Sequence, residues 1–214
     1  MNTAILFVAF CFFGSIASGQ TGWVLATQEQ GVEVFVKEVA GSKIKALKLN
    51  CEMDANISQV VALLLDIPAT VTWMPDTKSC FITRQISADE LYYYTEVNLP
   101  WPLNNRDFVT HLRVLQDPGT KVVTIDALAA PEQVAPRKGI VRIMQSKGCW
   151  IIRPLYKNRV QLQYDLMVDP GGLIPASLIN YFATDAAVEV IKNMQEIVSS
   201  PKYRDARLPF ILPQ

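Results

Sequence analysis

The sequence predicts an α+β protein in which a curved antiparallel sheet packs on one long C-terminal helix. Apolar and polar residues alternate along most of the chain after Trp23, as is typical of strands with one buried face. Short turns separate these segments, which favours antiparallel neighbours. One long amphipathic segment lies near the C-terminus, and it is the element available to cover the apolar face of the sheet.

Length and charge limit the domain count and the class of partner. The chain has 214 residues, half of them hydrophobic, which is enough for one sizeable core and short for two domains. Twenty basic and twenty acidic residues cancel, and no run of five like charges occurs. We therefore expect one domain over residues 20–214 and no nucleic-acid partner.

The N-terminus has the pattern of a secretory signal. Residues 1–19 carry no charged side chain, although no Lys or Arg precedes the apolar run at 4–17. That run is shorter than the ~20 residues needed to span a bilayer. Ala17, Ser18 and Gly19 supply the small residues of a cleavage site. We predict a signal peptide over 1–19 and a periplasmic or secreted protein, with an uncleaved anchor as the alternative.

The cysteine count adds one expectation for an exported protein. Cys51, Cys80 and Cys149 follow the predicted signal, and three thiols cannot all pair within one chain. At least one thiol should therefore be free and buried. Whether any two form a disulfide is left open.

The first half of the chain predicts two or three strands followed by a helical pair. The segments GVEVFVKEV and IKALKLNCEMD alternate in hydrophobicity and are predicted strands. NISQVVALLLDI has helical spacing, with Asn56 or Asp54 as the cap and Pro68 at its end. ATVTWMPD predicts a short second helix that Pro75 closes.

About six further strands and one long helix complete the prediction. The strands are CFITRQIS, ELYYYTEVN, RDFVTHLRVLQ, TKVVTIDALAA, IVRIMQSKGCWIIRPL and RVQLQYDLMVD. The helix begins near Pro175 and ends before Pro201. Its predicted apolar face consists of Leu178, Ile179, Phe182, Ala186, Val190, Met194 and Ile197.

The relative widths of the sheet and the helix suggest a cavity. A helix is about 10 Å wide, whereas some nine strands at about 4.8 Å spacing make a much wider sheet. The sheet must curl around the helix, and a gap between them would be apolar. Alternatively, large side chains such as Phe108, Met144, Trp150 and Tyr164 fill that gap. The residues alone leave both outcomes open.

Recognisable catalytic and metal-binding patterns are absent from the sequence. The single histidine, His111, lies on the predicted outer face of its strand, and the cysteines do not form paired motifs. No nucleophile elbow, HExxH motif, phosphate loop or EF-hand loop occurs. We therefore expect no catalytic residue and no metal. Arg106 and Asp107 form a predicted structural pair at a loop-to-strand junction, with hydrogen bonding of Arg106 to a ligand as the alternative.

The stretch PWPLNNRDFV, at residues 100–109, resembles a hallmark of START domains, the steroidogenic-acute-regulatory-protein-related lipid-transfer family. WMP at 73–75, GCWII at 148–152 with Pro154, and PGGLIP at 170–175 resemble the same family. The similarity covers about residues 23–200. It implies a helix-grip fold with about nine curved antiparallel strands around the C-terminal helix and an internal apolar tunnel.

The resemblance also implies a function. We expect a non-enzymatic monomer that binds one sterol, phospholipid or similar lipid without a cofactor and exchanges it during transient membrane contact. The loops at 100–105 and 130–139 and the last helix would form the tunnel mouth, with Trp101 and Leu103 as the gate. The alternation along the strands and the periodicity of the helix predict the residues that line the tunnel. They are Tyr93, Thr95, Phe108, Thr110, Leu112, Met144, Trp150, Tyr164, Phe182, Ala186 and Val190. A register error of one residue would replace the strand positions by their neighbours.

Two other functions stay open. The wider helix-grip superfamily includes polyketide cyclases and hydrolases, for which Tyr93, Tyr164 and Arg106 would be the groups to test. A ligand-sensing module is the second alternative. Sterol-handling START members tend to place a buried acid and arginine in the tunnel, whereas Leu112 or Tyr93 is expected here, which argues against a sterol. The sequence does not identify the lipid.

Overall fold

A computed structural model describes residues 22–39, 45–156, 158–175, 178, 179, 181 and 184–213. The predicted signal peptide at 1–19 and the predicted tunnel residue Phe182 lie outside these residues.

The described residues form one mainly antiparallel sheet and several helices, and residues 178, 179 and 181 are also helical. The strands are β1 (Val24–Glu29), β2 (Val32–Glu38), β3 (Lys45–Met53), β4 (Thr77–Gln85), β5 (Glu90–Val97), β6 (Arg106–Gln116), β7 (Val123–Ala129), β8 (Val141–Arg142), β9 (Ser146–Pro154) and β10 (Val160–Val168). The helices are α1 (Ile57–Leu65), α2 (Thr70–Trp73), α3 (Asp185–Val198) and α4 (Pro201–Arg204), with 3-10 turns at Ile67–Ala69 and Pro131–Gln133.

The strand order is β1-β2-β3-β10-β9-β7-β6-β5-β4, and the short strand β8 pairs in parallel with the start of β6. The last strand, β10, lies between β3 and β9, so the two halves of the chain meet in the middle of the sheet. The sheet is curved and stays open between β1 and β4. The predicted α+β class, with about nine antiparallel strands and a C-terminal helix, is confirmed.

Helix α1 forms where the sequence supplies a complete N-terminal cap. The Asn56 side chain accepts a hydrogen bond from the Gln59 backbone N–H at 3.0 Å, and the Gln59 side chain accepts one from the Asn56 N–H at 2.9 Å. The Gln59 Nε2 also donates to the carbonyl of Val198 at 3.4 Å. The cap of the first helix is thereby joined to the end of α3.

The buried face of α3 agrees only in part with the predicted one. Ala186 and Met194 are buried as predicted, but Val190 and Ile197 are half-buried, and the fully buried Ile191 was not predicted. Helical periodicity defines an apolar stripe, but the packing partners decide which residue lies at its centre. Here those partners are β2, β3 and the helices α1 and α2.

The segment predicted as one strand over 140–155 is divided into β8 and β9. The backbone N–H of Ile143 donates to the carbonyl of Asp107 at 2.9 Å, which keeps this part of the chain beside β6. β9 then pairs with β7 and β10. The division arises because the two pieces bind different neighbours.

Three thiols are free among the described residues. Cys51 and Cys80 are buried and Cys149 is half-buried. No helix in the described part of the chain is both long and apolar enough to cross a membrane.

Candidate functional site: a neutral cavity beneath two joined loops

The concave face of the sheet and the α1–α2 region enclose a cavity of about 70 Å³. Its lining consists of Leu64, Ile67, Thr70, Trp73, Met74, Tyr93, Thr95, Leu112, Ile125, Ala127, Trp150 and Tyr164. Sites for drug-sized ligands usually measure about 300–1,000 Å³. The described residues therefore enclose a small apolar cavity, and the lipid-sized tunnel stays a prediction.

Small residues on adjacent strands make room beside two large rings. Ala127 on β7 is directly opposite Gly148 on β9. A Cβ added at Gly148 would lie 3.0 Å from the Tyr164 hydroxyl, so a larger residue there would displace that ring. Tyr164 itself stacks on Trp150 with ring centroids 4.0 Å apart. The cavity wall at this point depends on the absence of side-chain atoms at Gly148.

The polar groups of the cavity wall are neutral. None of the twelve lining residues carries a charge. Burial raises the pKa of Tyr93 to about 12 and also raises the pKa of Tyr164, so both phenols are protonated at neutral pH. The Cys80 thiol lies 3.1 Å from the Thr95 hydroxyl, and burial raises the pKa of Cys80 as well. The site can bind an uncharged molecule without leaving an ion unpaired.

The predicted tunnel residues occupy several different environments. Tyr93, Thr95, Leu112, Trp150 and Tyr164 line the cavity. Four of the other predicted residues do not border it in the described structure: Phe108, half-buried opposite Thr95; Thr110, buried opposite Tyr93; and Ala186 and Val190 on α3.

Sequence reasoning missed the contribution of the helical pair. Leu64 and Ile67 at the end of α1, and Thr70, Trp73 and Met74 in and after α2, form the opposite wall of the cavity. The helical spacing of this segment was visible in the sequence. Its approach to β5, β7 and β9 depends on long-range packing and had no local signal.

Met144 is a correction to the predicted tunnel. Its side chain is 62% exposed. It lies in a separate surface depression of about 270 Å³ with Leu128, Lys147 and Met167. The prediction placed Met144 on the concave face by treating residues 140–155 as one continuous strand. Met144 lies between β8 and β9, so strand alternation does not apply to it.

Arg106 and Asp107 are structural, but each has its own partners. Neighbouring residues in a strand face opposite sides of the sheet. Arg106 donates to the backbone carbonyls of Asn104 at 2.6 Å, Pro170 at 3.2 Å and Gly171 at 3.0 Å. Asp107 accepts two bonds from Arg142, at 2.7 and 3.0 Å. Arg106 therefore joins the loop between β5 and β6 to the loop after β10, whereas Asp107 holds Arg142 of β8.

The loop at 130–139 lies against the outer face of the sheet, which corrects its predicted place at the tunnel mouth. Arg142 donates to the carbonyls of Pro131 and Val134, both at 2.7 Å. The Arg137 guanidinium lies 4.3 Å from the ring centroid of Tyr94, a residue of β5 that does not line the cavity. Because Tyr94 lies between the concave-facing residues 93 and 95, it faces outward.

Two apolar side chains project from the loops that Arg106 joins. Trp101, between β5 and β6, is 92% exposed, and Leu173, after β10, is 89% exposed. The Asn105 side chain braces the first loop by accepting from the Leu99 N–H at 3.3 Å and donating to Glu96 at 2.7 Å. Leu103, the other predicted gate residue, is half-buried. In this structure Trp101 faces outward and does not border the cavity.

The joined loops lie at the end of the sheet next to the cavity. Arg106 pairs with Val97 on β5, two residues beyond the cavity residue Thr95. At about 3.3 Å per residue, that is a separation of about 7 Å along the strand. Trp101 and Leu173 therefore project from the loops that adjoin this end of the cavity.

An open antiparallel sheet that grips a C-terminal helix beside an uncharged cavity defines a helix-grip protein. The START domain profile matches residues 11–204, so the chain belongs to the START domain family. The described residues include no group of three or more His, Cys, Asp or Glu side chains that could hold a metal ion.

Individual relatives agree with this assignment. The STAR-related lipid transfer protein of Xanthomonas axonopodis has a similar structure, with a TM-score of 0.76 and 31% identity, covering 84% of this chain and 99% of that one. Human STARD10 has the same fold, with a TM-score of 0.72 and 23% identity, over 87% of this chain and 77% of that one. An uncharacterized protein of Pseudomonas aeruginosa, PA1579, is 29% identical over 173 residues, which cover 81% of this chain and 85% of the relative.

Proposed function

We propose that the protein binds one lipid molecule in the cavity between the sheet and the helices and carries it between membranes without catalysis. The observation that carries this proposal is the charge-free lining of the cavity in a START fold. Burial of apolar ligand surface, at about 25 cal/mol per Å², would supply the binding free energy. The similarity to a lipid transfer protein of Xanthomonas axonopodis supports the same reading.

Lipid binding requires the cavity to enlarge from about 70 Å³. The wall formed by α2 and Met74 is made of a short helix and its C-terminal turn, and such elements rearrange more readily than the central strands. We infer that these residues move outward when a lipid enters. Transfer then proceeds by a conformational step, with no covalent chemistry.

Membrane contact is assigned to the loops that carry Trp101 and Leu173. An exposed tryptophan is suited to the membrane interface because its ring is apolar and its N–H is polar. Arg106 holds both loops at the end of the sheet next to the cavity. A lipid leaving the cavity there would pass directly into the membrane.

We also propose that the protein is exported, because residues 1–19 have the pattern of a signal peptide. N-terminal sequencing of the protein recovered from the cell envelope or the medium should begin at Gln20. Recovery of full-length protein in the cytosol would contradict export, while leaving lipid binding unaffected.

The experiment that tests lipid binding is native mass spectrometry of the purified protein, followed by transfer of fluorescent lipids between vesicles. We expect a bound mass that is released on denaturation and extracts into organic solvent. A protein that carries no lipid and neither takes up nor exchanges fluorescent lipids would overturn the proposal.

A further inference from the structure

One residue that lines the cavity carries a buried hydrogen-bond donor that has no acceptor. Trp73 is 3% exposed and lines the cavity. Its indole Nε1 is buried without a hydrogen-bond partner within the part of the chain that the structure describes. Buried donors are nearly always paired in folded proteins, because an unpaired one loses its bond to water without compensation.

The rest of the lining restricts what could accept this hydrogen bond. The other nitrogen and oxygen side-chain groups of the described lining are four hydroxyls, on Thr70, Tyr93, Thr95 and Tyr164, and the indole N–H of Trp150. Tyr93 lies directly opposite Thr110 in the pairing of β5 with β6, and Thr95 contacts the Cys80 thiol. The described part of the chain contributes no lysine, arginine or histidine to the lining, so a carboxylate or phosphate there would lack a counter-ion among these residues.

Resting on the proposed lipid-binding function, we propose that the ligand carries a neutral oxygen, as a hydroxyl or carbonyl group, which accepts a hydrogen bond from the Trp73 indole N–H. Indole nitrogen donates and does not accept, so the ligand atom must be an acceptor. An alcohol, ester or ketone lipid fits this site. A pure hydrocarbon leaves the donor unpaired, and an ionised head group beside Trp73 would meet no counter-ion among the described lining residues.

The test compares three probes of equal chain length: dodecan-1-ol, dodecane and dodecanoate, delivered from cyclodextrin at pH 8. A net neutral hydrogen bond is worth about 0.5–1.5 kcal/mol, so dodecan-1-ol should bind about 2- to 13-fold more tightly than dodecane. Dodecanoate should bind more weakly than dodecan-1-ol. In ¹H–¹⁵N spectra, dodecan-1-ol should shift the indole N–H signal of Trp73 downfield. Dodecane should cause no downfield shift of this signal.

Two variants separate the hydrogen bond from the shape of the wall. Trp73→Phe removes the donor and should abolish the preference for dodecan-1-ol over dodecane. Trp150→Phe removes the other indole N–H and a similar volume from the same cavity, where the ring stacks on Tyr164, and should keep that preference because the hydrogen bond is assigned to Trp73. The indole signals can be assigned with these variants together with Trp23→Phe and Trp101→Phe, both at exposed sites.

Each contrary result identifies which idea fails. Equal affinities for dodecan-1-ol and dodecane with an unmoved Trp73 signal would refute the hydrogen bond while lipid binding stands. Tighter binding of dodecanoate than of dodecan-1-ol would refute the neutral-ligand assignment. If none of the probes binds and the purified protein transfers no lipid, both the hydrogen bond and the proposed function are wrong. The wild-type spectra decide the question even if Trp73→Phe fails to fold.

Discussion

Filling the cavity from the sheet side should block ligand binding without unfolding the protein. Ala127 lines the cavity at the centre of the concave face, opposite Gly148 and Leu112. Ala127→Leu adds three carbon atoms on that side of the wall. If a lipid occupies this space, the substituted side chain and the ligand cannot both be accommodated.

The size of the stability change follows from the cavity volume. At about 24 cal/mol per Å³, filling 70 Å³ would stabilise the fold by at most about 1.7 kcal/mol. Overpacking costs about 1–3 kcal/mol in a tight core, which offsets much of this gain. We therefore expect a net change within about 1.5 kcal/mol of zero.

Urea unfolding would measure the stability, and native mass spectrometry with fluorescent-lipid uptake would measure binding. Ala26→Leu provides a matched control because Ala26 is exposed on the edge strand β1. The control should bind as the wild type does. If Ala127→Leu folds normally and takes up lipid with unchanged affinity, the ligand does not occupy this cavity.

Three further predictions concern the loops, a buried ion pair and pH. The double variant Trp101→Ala/Leu173→Ala should transfer lipid between vesicles more slowly, while its thermal midpoint stays nearly unchanged because both side chains are exposed. Trp23→Ala is the control. Unchanged transfer by the double variant would count against a role of these loops in membrane contact. Asp107→Ala should lower the free energy of unfolding in urea by about 3–5 kcal/mol, because it leaves the buried Arg142 charge without a partner. The double variant Asp107→Ala/Arg142→Met should recover part of this loss. Strictly additive effects of the two substitutions would contradict the coupling. For Asp66, burial raises the pKa but the bonds from Lys202 and Tyr203 outweigh it, so its pKa lies below the usual range. This carboxylate therefore stabilises the fold above about pH 4 and loses that effect as the pH falls through its folded pKa. Asp66→Asn should lower stability at pH 7 and flatten its fall in acid, and an unchanged pH profile in urea melts would show that this contact contributes nothing.

Much of the fold could be predicted because the signals are local. β6 begins and ends where the alternating segment does, and Asn56 caps α1 as its position before the helical segment indicated. Period-2 alternation and cap chemistry act over a few residues, so a single sequence contains them. The division of β8 from β9 escaped prediction because it depends on a parallel pairing with β6.

The site was less predictable, since it is assembled from elements far apart in the chain. Parity placed Tyr93, Thr95 and Leu112 on the concave face, where the structure has them. It could not show that Trp73 and Met74 form the other wall of the cavity, because hydrophobic periodicity does not indicate which helix packs on which strand. Nor could it show that Arg106 would bind carbonyls of residues 170 and 171, more than sixty positions away.

The sequence by itself determined most element types, the family and the neutral residues on the concave face of β5 and β6, since these depend on local residue patterns. Tertiary structure alone decided that β10 pairs with β3, that Ile191 lies at the centre of the helix contact and that Met144 faces solvent. These outcomes depend on contacts between distant segments, where packing and hydrogen bonding select one arrangement from several that the local pattern permits.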